Sequence, residues 1–421
     1  MSKLEFTRYL YIKDELILSF VISLLKKENL HECYFWFTEL YYSKYNVNNI
    51  LLKIYYDFYY INNKQFEKYI YKKIASCDNN DKISGYITII KNLFRLSISC
   101  GVFLNRQGYL KNNNDSSIDN NKNKKSFKGR KPKWLENINK EFHTLFRYLE
   151  KNKIDMFYYE LHNINDDYLK DIFDQIKLYD KNIQFDLLNN KWYKYDLRHI
   201  VLAYITSYIM TKVNSVDSEN SANSENSENS NNKKLYVLAS EYEMLQIKNT
   251  NIPLPPRDFV DSKNTLHKMN DIRKTLSCKR HFAIQKDIAC FHFNRRNMEQ
   301  KSVYDKYYYN WEYYAYNCDL WKERMDKYHV SFDTKNNNNY DHEFNYICFP
   351  NDDLLEAFYE DFGYEPDEQS LETTEKIFIN IHDHSIDSKS WLKRIFNYDN
   401  ETVFAFKRIV NDVKINYLDD D

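Results

Sequence analysis

The chain has 421 residues and a formal net charge of −1 at pH 7, so it has room for two or three domains but no overall field that draws it to nucleic acid or membranes. The spacing of its five glycines excludes a phosphate-binding P-loop and a dinucleotide-binding turn, because side chains block the close backbone approach that both turns need. Its seven cysteines, an odd number scattered through a large chain, are typical of reduced thiols in a cytoplasmic protein.

The N-terminal residues are charged throughout and lack the pattern of a signal peptide. The most apolar runs, residues 16–25 and 200–210, are shorter than the roughly 20 residues that span a bilayer. We therefore expect a soluble protein of the cytoplasm without a membrane partner.

Residues 1–104 show successive helical patterns joined by short polar links. Apolar side chains recur at helical spacing over residues 16–25, 30–43, 50–58, 66–74 and 83–96. Antiparallel helices with short connections predict an N-terminal helical domain of the bundle or solenoid type.

A Tyr-x4-Leu-hydrophobic pattern occurs at Tyr11, Leu16 and Ile17. Translation scaffolds dock onto cap-binding proteins through a short helix with this pattern, so these residues are candidate partner contacts. In a chain with 39 tyrosines such a match is expected by chance, and Leu16 and Ile17 also begin the first apolar stripe. Core packing is therefore the better interpretation.

Residues 105–133 have the composition of a basic, Asn/Lys-rich linker or loop, and 122–133 hold seven basic residues and no acid. A solvated loop enlarged by A/T-rich codons is the simpler interpretation, and a basic arm for RNA or DNA is the functional one. The candidate nucleic-acid contacts in this tract are Lys124, Lys125, Lys128, Arg130, Lys131 and Lys133.

Residues 134–213 form a central helical region by the same spacing criterion. Its last pattern, 195–213, is apolar almost all round and predicts a buried central helix, in which His199 is a core histidine with satisfied hydrogen bonds. The Ser/Asn/Glu-rich residues 214–234 predict a disordered linker or loop.

Residues 235–421 form a C-terminal domain that is α or α+β and carries separated charges. Eleven basic residues against five acidic ones occur over 257–301, and this segment adds Arg295 and Arg296 to the candidate nucleic-acid contacts. Residues 352–375 hold ten acidic residues and no basic one. The two segments either pair with each other, which we favour, or present two separate docking faces.

Four metal-capable residues, Cys278, His281, Cys290 and His292, form a C-x2-H-x8-C-x-H arrangement. A structural zinc ion needs four such ligands in a tetrahedron, and the first pair has usable spacing. The second pair, Cys290 and His292, is separated by a single residue, and this spacing counts against a shared tetrahedral site. We favour buried cysteines and surface histidines, and expect no cofactor and no catalytic residues.

The stretch 303–328 is the most aromatic in the chain, with seven tyrosines between Tyr304 and Tyr316. Helical spacing places one set of residues on a buried side: Tyr304, Tyr308, Trp311, Tyr314 or Ala315, and Cys318. The outward set then consists of Tyr307, Tyr309, Tyr313 and Tyr316. Exposed tyrosines would stack on nucleic-acid bases or contact a protein partner.

Five segments together resemble a family without assigned activity that is encoded by giant nucleocytoplasmic DNA viruses of the mimivirus type. They are TRYLYIKDE (7–15), FWFTELYYSKYN (35–46), LLKIYYDFYYINN (51–63), YYNWEYYAYNCDLWKERMDKY (308–328) and FYEDFGYEPDEQ (358–369). The resemblance implies a viral protein of the host cytoplasm or viral factory and carries over no catalytic residue.

The sequence therefore predicts a mainly α-helical protein without enzymatic activity. We interpret it as an adaptor or scaffold for protein partners in viral gene expression, for example in translation initiation, or in assembly. The alternatives are an RNA- or DNA-binding protein and a structural component of the virion. The sequence leaves the identity of the partners and the oligomeric state open.

Overall fold

The protein is mainly α-helical, as its periodicity predicts. The computed structural model describes residues 4–77, 83–114, 133, 136, 139–151, 153–179, 195–219, 258–260, 266–268, 276, 279–292, 298–333, 346–364, 366–381, 387–396 and 415–416. No helix in these ranges is both long enough and apolar enough to cross a membrane.

The α-helices are α1 (Lys13–Lys26), α2 (Leu30–Tyr42), α3 (Val47–Ile54), α4 (Phe66–Cys77), α5 (Ile83–Arg95), α6 (Gly101–Asn114), α7 (His143–Glu150), α8 (Ile154–His162), α9 (Leu169–Tyr179), α10 (Leu197–Glu219), α11 (Gln300–Ala315), α12 (Asp319–Lys327), α13 (Asp352–Phe362), α14 (Leu371–Glu375) and α15 (Ser388–Phe396). A π-helix (Tyr55–Tyr59) continues α3, and short 3₁₀ turns occupy Lys140–Phe142, Asp166–Tyr168, Lys286–Cys290 and Pro366–Glu368.

The short strands are β1 (Asp258–Val260), β2 (Leu266–Lys268), β3 (Phe291–His292), β4 (Ser331–Asp333), β5 (Tyr346–Cys348) and β6 (Ile415–Asn416). Strands β1 and β2 are antiparallel, with Phe259 opposite His267. Strands β4 and β5 are also antiparallel, with Phe332 opposite Ile347. The strand content of the described residues is thus confined to the C-terminal part.

The chain divides into two compact units that are not consecutive in sequence. Unit 1 contains Met1–Ile50, Leu238–Trp391 and Tyr417–Asp421, and unit 2 contains Leu51–Val237 and Leu392–Asn416. The first two helices therefore belong with the C-terminal residues. The continuous helical pattern over 1–104 had instead predicted that they form one domain with the helices that follow.

Contacts between distant residues explain why unit 1 has this composition. Tyr11 Oη donates to the Phe282 carbonyl at 2.7 Å, and Trp321 Nε1 donates to the Thr7 carbonyl at 3.1 Å. Arg280 Nε donates to the Tyr9 carbonyl at 2.9 Å. These bonds tie the segment before α1 to residues near the other end of the chain, within unit 1.

Helices α1 and α2 form an antiparallel pair whose entry is fixed by polar contacts. The side chain of Asn29 caps α2 by accepting from the His31 and Glu32 amides. Before α1, the buried Glu39 carboxylate accepts from Arg8 Nε at 2.6 Å and from the Tyr9 amide at 2.8 Å. The segment that leads into α1 is therefore held from α2.

Unit 2 is built around α10, which contacts α6, α8 and the π-helix. Residues 199–207 of α10 are all buried, so the prediction of a central buried helix is confirmed. Glycine at position 101 permits the close approach of α6, because a Cβ there would lie 2.9 Å from Ile61 Cδ1 and 3.0 Å from Met210 Sδ.

Two boundaries differ from those predicted. Helix α6 continues to Asn114, so the first ten residues of the supposed linker 105–133 are helical, because Asn105 and Arg106 are buried polar anchors of α6. Helix α10 continues to Glu219, into the predicted linker 214–234, since no glycine or proline stops it. The remaining residues of both segments, apart from Lys133, lie outside the described ranges.

Candidate functional site

Helix α11 carries the aromatic stretch, and it is interrupted at Asn310. The backbone of Asn310 has φ −142° and ψ 28°, which is non-helical, and the residue is buried. The side chains that α11 buries are Val303, Tyr307, Asn310, Trp311 and Ala315. A break in the middle of the helix changes the angular position of the residues on either side of it.

The prediction for Tyr307 was therefore wrong: this side chain is fully buried and does not face outward. Its ring makes edge contacts with Phe6 at 5.6 Å and Phe378 at 4.7 Å between centroids. Tyr304 and Tyr308, predicted as core, are only partly buried. The uniform helical period used for the prediction does not include the irregular backbone at Asn310.

Tyr309, Tyr313 and Tyr316 form what we call the outer face of α11. Tyr309 is 65% exposed, and the other two are partly exposed. Phe332 of β4 supports both of them, with centroid distances of 5.5 Å to Tyr313 and 5.3 Å to Tyr316. The outer face is thus an aromatic surface in which Phe332 packs against two of the three tyrosines.

Glu312 lies on the same side of α11 and is joined to α13. Tyr359 Oη donates to Glu312 Oε1 at 3.2 Å. Burial of the carboxylate raises the pKa of Glu312 to about 7, and the bonds from its backbone and from Tyr359 oppose this rise only in part. Glu312 therefore changes charge near neutral pH.

Helix α13 presents an acidic surface beside Glu312. Its exposed side chains are Asp352, Asp353, Leu355, Glu356 and Glu360, while Phe358 and Phe362 are buried. Asn351 caps the helix by accepting from the Leu354 amide at 2.9 Å. The first part of the acidic segment, residues 352–362, is therefore a capped helix with one solvent-exposed face.

The basic and acidic segments of the C-terminal part meet through backbone acceptors in the described residues. Arg280 Nη1 donates to the Thr373 carbonyl at 3.3 Å, and the Ile284 amide donates to the Lys376 carbonyl at 2.9 Å. Arg280 is buried and also donates to the Tyr307 hydroxyl at 3.3 Å. Arg280 thus contacts the acidic segment through a backbone carbonyl and not through a carboxylate, and Asp352, Asp353, Glu356 and Glu360 stay exposed.

Two lysine side chains lie close to tyrosine rings at the C-terminal end of α11. Lys306 Nζ lies 5.8 Å from the Tyr314 ring centroid, and Lys322 Nζ lies 5.8 Å from that of Tyr316. Both distances are within the range of a cation–π attraction. The outer face therefore borders on cations at α12 and on anions at α13.

The other predicted contact residues are placed as follows. Tyr11, Leu16 and Ile17 are buried, as the core interpretation required, and cannot dock onto a partner without unfolding of the N-terminal segment. Lys133 is exposed. The residues Lys124, Lys125, Lys128, Arg130, Lys131, Arg295 and Arg296 lie outside the described ranges.

The four metal candidates are not brought together in the described part of the chain. Cys290 is buried and His281 is exposed. Cys278 lies outside the described residues, as does the side chain of His292. No group of three or more His, Cys, Asp or Glu residues that could hold a metal ion occurs among the described residues.

Unit 2 contains a buried polar network that the sequence analysis missed. Asp57, in the π-helix, accepts from Arg106 of α6 and contacts His199 Nε2 of α10 at 3.0 Å. His199 Nδ1 lies 2.7 Å from Tyr195 Oη. The prediction of a satisfied core histidine is therefore confirmed. The available signal was a single acid, Asp57, within an otherwise aromatic run.

The charge of Asp57 is held by its partners. Burial alone would raise its pKa, but the guanidinium of Arg106 and the imidazole of His199 lower it below its usual range. The carboxylate therefore stays ionised and joins the π-helix to α6 and α10. A π-helix is rare and is frequent at functional sites, yet Asp57, Arg106 and His199 of this network are all buried.

No protein-family model matches the chain, and no curated protein and no solved structure shows significant similarity to it.

Proposed function

We propose that this chain is a non-enzymatic scaffold that binds a protein partner through the outer face of α11. The supporting observation is the exposure of Tyr309, Tyr313 and Tyr316 on one side of a helix whose opposite side is anchored by Trp311. Tyrosine is enriched at protein interfaces because it offers a large contact area with few rotatable bonds. The resemblance to a giant-virus family extends this proposal to viral gene expression or assembly.

The charge beside the outer face favours a protein over a nucleic acid. The exposed acids of α13 would repel a phosphate backbone, whereas they would attract lysine and arginine side chains. Tyrosine rings and carboxylates together also suit a cationic side chain, through the ring quadrupole and through ion pairing. The partner that fits this surface is a basic segment of another protein.

A peptide-display selection against the whole chain tests the proposal. We expect enriched peptides to contain lysine or arginine next to an apolar residue. Their affinity should fall by at least about fivefold for each of Tyr309→Ser and Tyr313→Ser, since a central interface tyrosine contributes more than about 1 kcal/mol. Tyr168→Ser removes a tyrosine that is 45% exposed in unit 2 and is the matched control.

Two results would count against the proposal. One is a set of selected peptides whose affinity is the same for the α11 variants and for Tyr168→Ser. The other is tight binding of single-stranded RNA that falls steeply with salt and depends on Tyr309, which would favour the nucleic-acid alternative.

A further inference from the structure

Arg324 of α12 has a buried guanidinium nitrogen, Nη1, without a hydrogen-bonding partner among the described residues. Its Cζ lies 5.0 Å from the ring centroid of Trp321 and 5.4 Å from that of Phe362. Its Nη1 atom is buried, and no acceptor among the described residues is within hydrogen-bonding distance. In a guanidinium stacked on an aromatic ring, the N–H groups lie in the guanidinium plane and point away from the ring. The stacking on Trp321 therefore does not provide an acceptor for these donors.

Glu39, the carboxylate that acts electrostatically on Arg324, already accepts two hydrogen bonds. Glu39 accepts from Arg8 Nε through Oε2 and from the Tyr9 amide through Oε1. Burial, and after it the positive charge of Arg8, lower the pKa of Arg324 to about 10, so the two guanidinium groups act on each other. Arg8, Arg324 and Glu39 together thus carry one positive charge in excess, and the hydrogen bonds of Glu39 go to Arg8 and Tyr9.

An unpaired charge in such a place is costly, and buried polar groups of folded proteins nearly always have partners. The residue as a whole is partly exposed, whereas its Nη1 atom is buried. Glu323, the acidic residue next to Arg324 on the same helix, pairs with Lys44 and not with the Arg324 guanidinium.

We propose that Arg324 is an oxyanion-binding site, in which the guanidinium stacked on Trp321 receives a phosphate or carboxylate group and Arg8 adds to the positive field. A planar guanidinium presents two parallel N–H donors, which match two oxygens of such a group. The site is independent of the outer face of α11 and does not require the proposed scaffold function.

Titration with inorganic phosphate, at an ionic strength held constant with sodium chloride, tests the site. We expect a saturable rise of Tm in the wild-type protein and a change in Trp321 fluorescence over the same concentration range. An acetate titration, run alongside, separates the two sources of oxyanion. Both responses should be lost in Arg324→Met, which keeps an apolar group over Trp321.

Lys322→Met removes a positive charge from an exposed position of the same helix and is the matched control. It should respond to phosphate as the wild type does. As a readout that does not depend on stability, the ³¹P line of phosphate should broaden with wild type and Lys322→Met, and stay sharp with Arg324→Met.

The proposal is overturned if neither phosphate nor acetate changes Tm or the fluorescence of the wild-type protein. It is also overturned if Arg324→Met and Lys322→Met lose the response equally, which would show only a general effect of charge. A strong destabilisation by Arg324→Met, with no anion response in the wild type, would mean that a group of the chain itself pairs with the guanidinium.

Discussion

Asp57 and Arg106 form a two-point ion pair in the core of unit 2. Arg106 Nε donates to Oδ1 at 3.2 Å, Nη2 donates to Oδ2 at 2.9 Å, and both side chains are buried. Breaking one partner of such a pair leaves an uncompensated charge in a medium of low polarity. The pair therefore holds the π-helix against α6.

We expect Asp57→Asn to lower the free energy of unfolding by about 3–5 kcal/mol, because Arg106 would stay charged and buried. The double variant Asp57→Leu/Arg106→Met should recover much of this loss, since it removes both charges. Chemical denaturation of the two variants measures the difference. Glu323→Gln, which breaks the exposed pair with Lys44, is the control and should change stability by less than about 1 kcal/mol. Equal losses for Asp57→Asn and Glu323→Gln would contradict this account.

Tyr307 and Tyr309 test the effect of the break at Asn310. Tyr307→Ala should destabilise unit 1 by about 3–5 kcal/mol, because it leaves a cavity among Phe6, Tyr364 and Phe378. Tyr309→Ala should change stability by less than about 0.5 kcal/mol, because the side chain is mostly exposed. Thermal or urea unfolding decides the order, and a reversed order would restore the uniform helix that the sequence spacing predicts.

Glu312 makes stability depend on pH. Its pKa is raised from 4.5 to about 7 in the folded state, so between these values the folded protein holds more protons than the unfolded chain. The stability contribution of the neutral carboxyl is therefore complete below pH 4.5 and is lost as pH rises through 7. Glu312→Gln should lack this loss and be more stable than wild type above pH 7, by about 1–3 kcal/mol.

Urea unfolding at several pH values between 4.5 and 8 measures the difference between wild type and Glu312→Gln. Glu360→Gln removes an exposed acid from the neighbouring helix and keeps Glu312, so it should show the wild-type pH dependence. Parallel stability curves for wild type and Glu312→Gln over this range would refute the assignment.

Gly85 determines how closely α4 and α5 pack. A Cβ at this position would overlap Sγ of Cys77, a side chain with limited freedom to move. Gly85→Ala should therefore destabilise unit 2, although alanine favours a helix by about 1 kcal/mol over glycine. Adding Cys77→Ala to Gly85→Ala should restore stability, which differential scanning calorimetry can measure. If Gly85→Ala alone raises Tm, the close packing is wrong.

The sequence was sufficient for the helices whose spacing is regular, such as α1, α5 and the buried α10. It was not sufficient to predict the burial of Tyr307, because no proline or glycine near Asn310 indicates a break in the helix. The set of chain segments that form unit 1 could not be predicted either, since contacts such as the bond from Arg280 to Tyr9 join residues 271 positions apart. Periodicity reports which side of a helix is buried and does not report what buries it.

Photo-cross-linking from position 309 tests the central claim, that the outer face of α11 binds a protein, most directly. A photoreactive phenylalanine derivative would replace Tyr309 in one variant of the whole chain and Tyr168 in another. Both variants would be expressed in the cells in which the protein naturally occurs, so that its partner is present. We predict that position 309 gives a discrete cross-linked protein, attached through a lysine- or arginine-containing peptide, and that position 168 does not. Cross-linking to nucleic acid from position 309, or the same products from both positions, would contradict the claim.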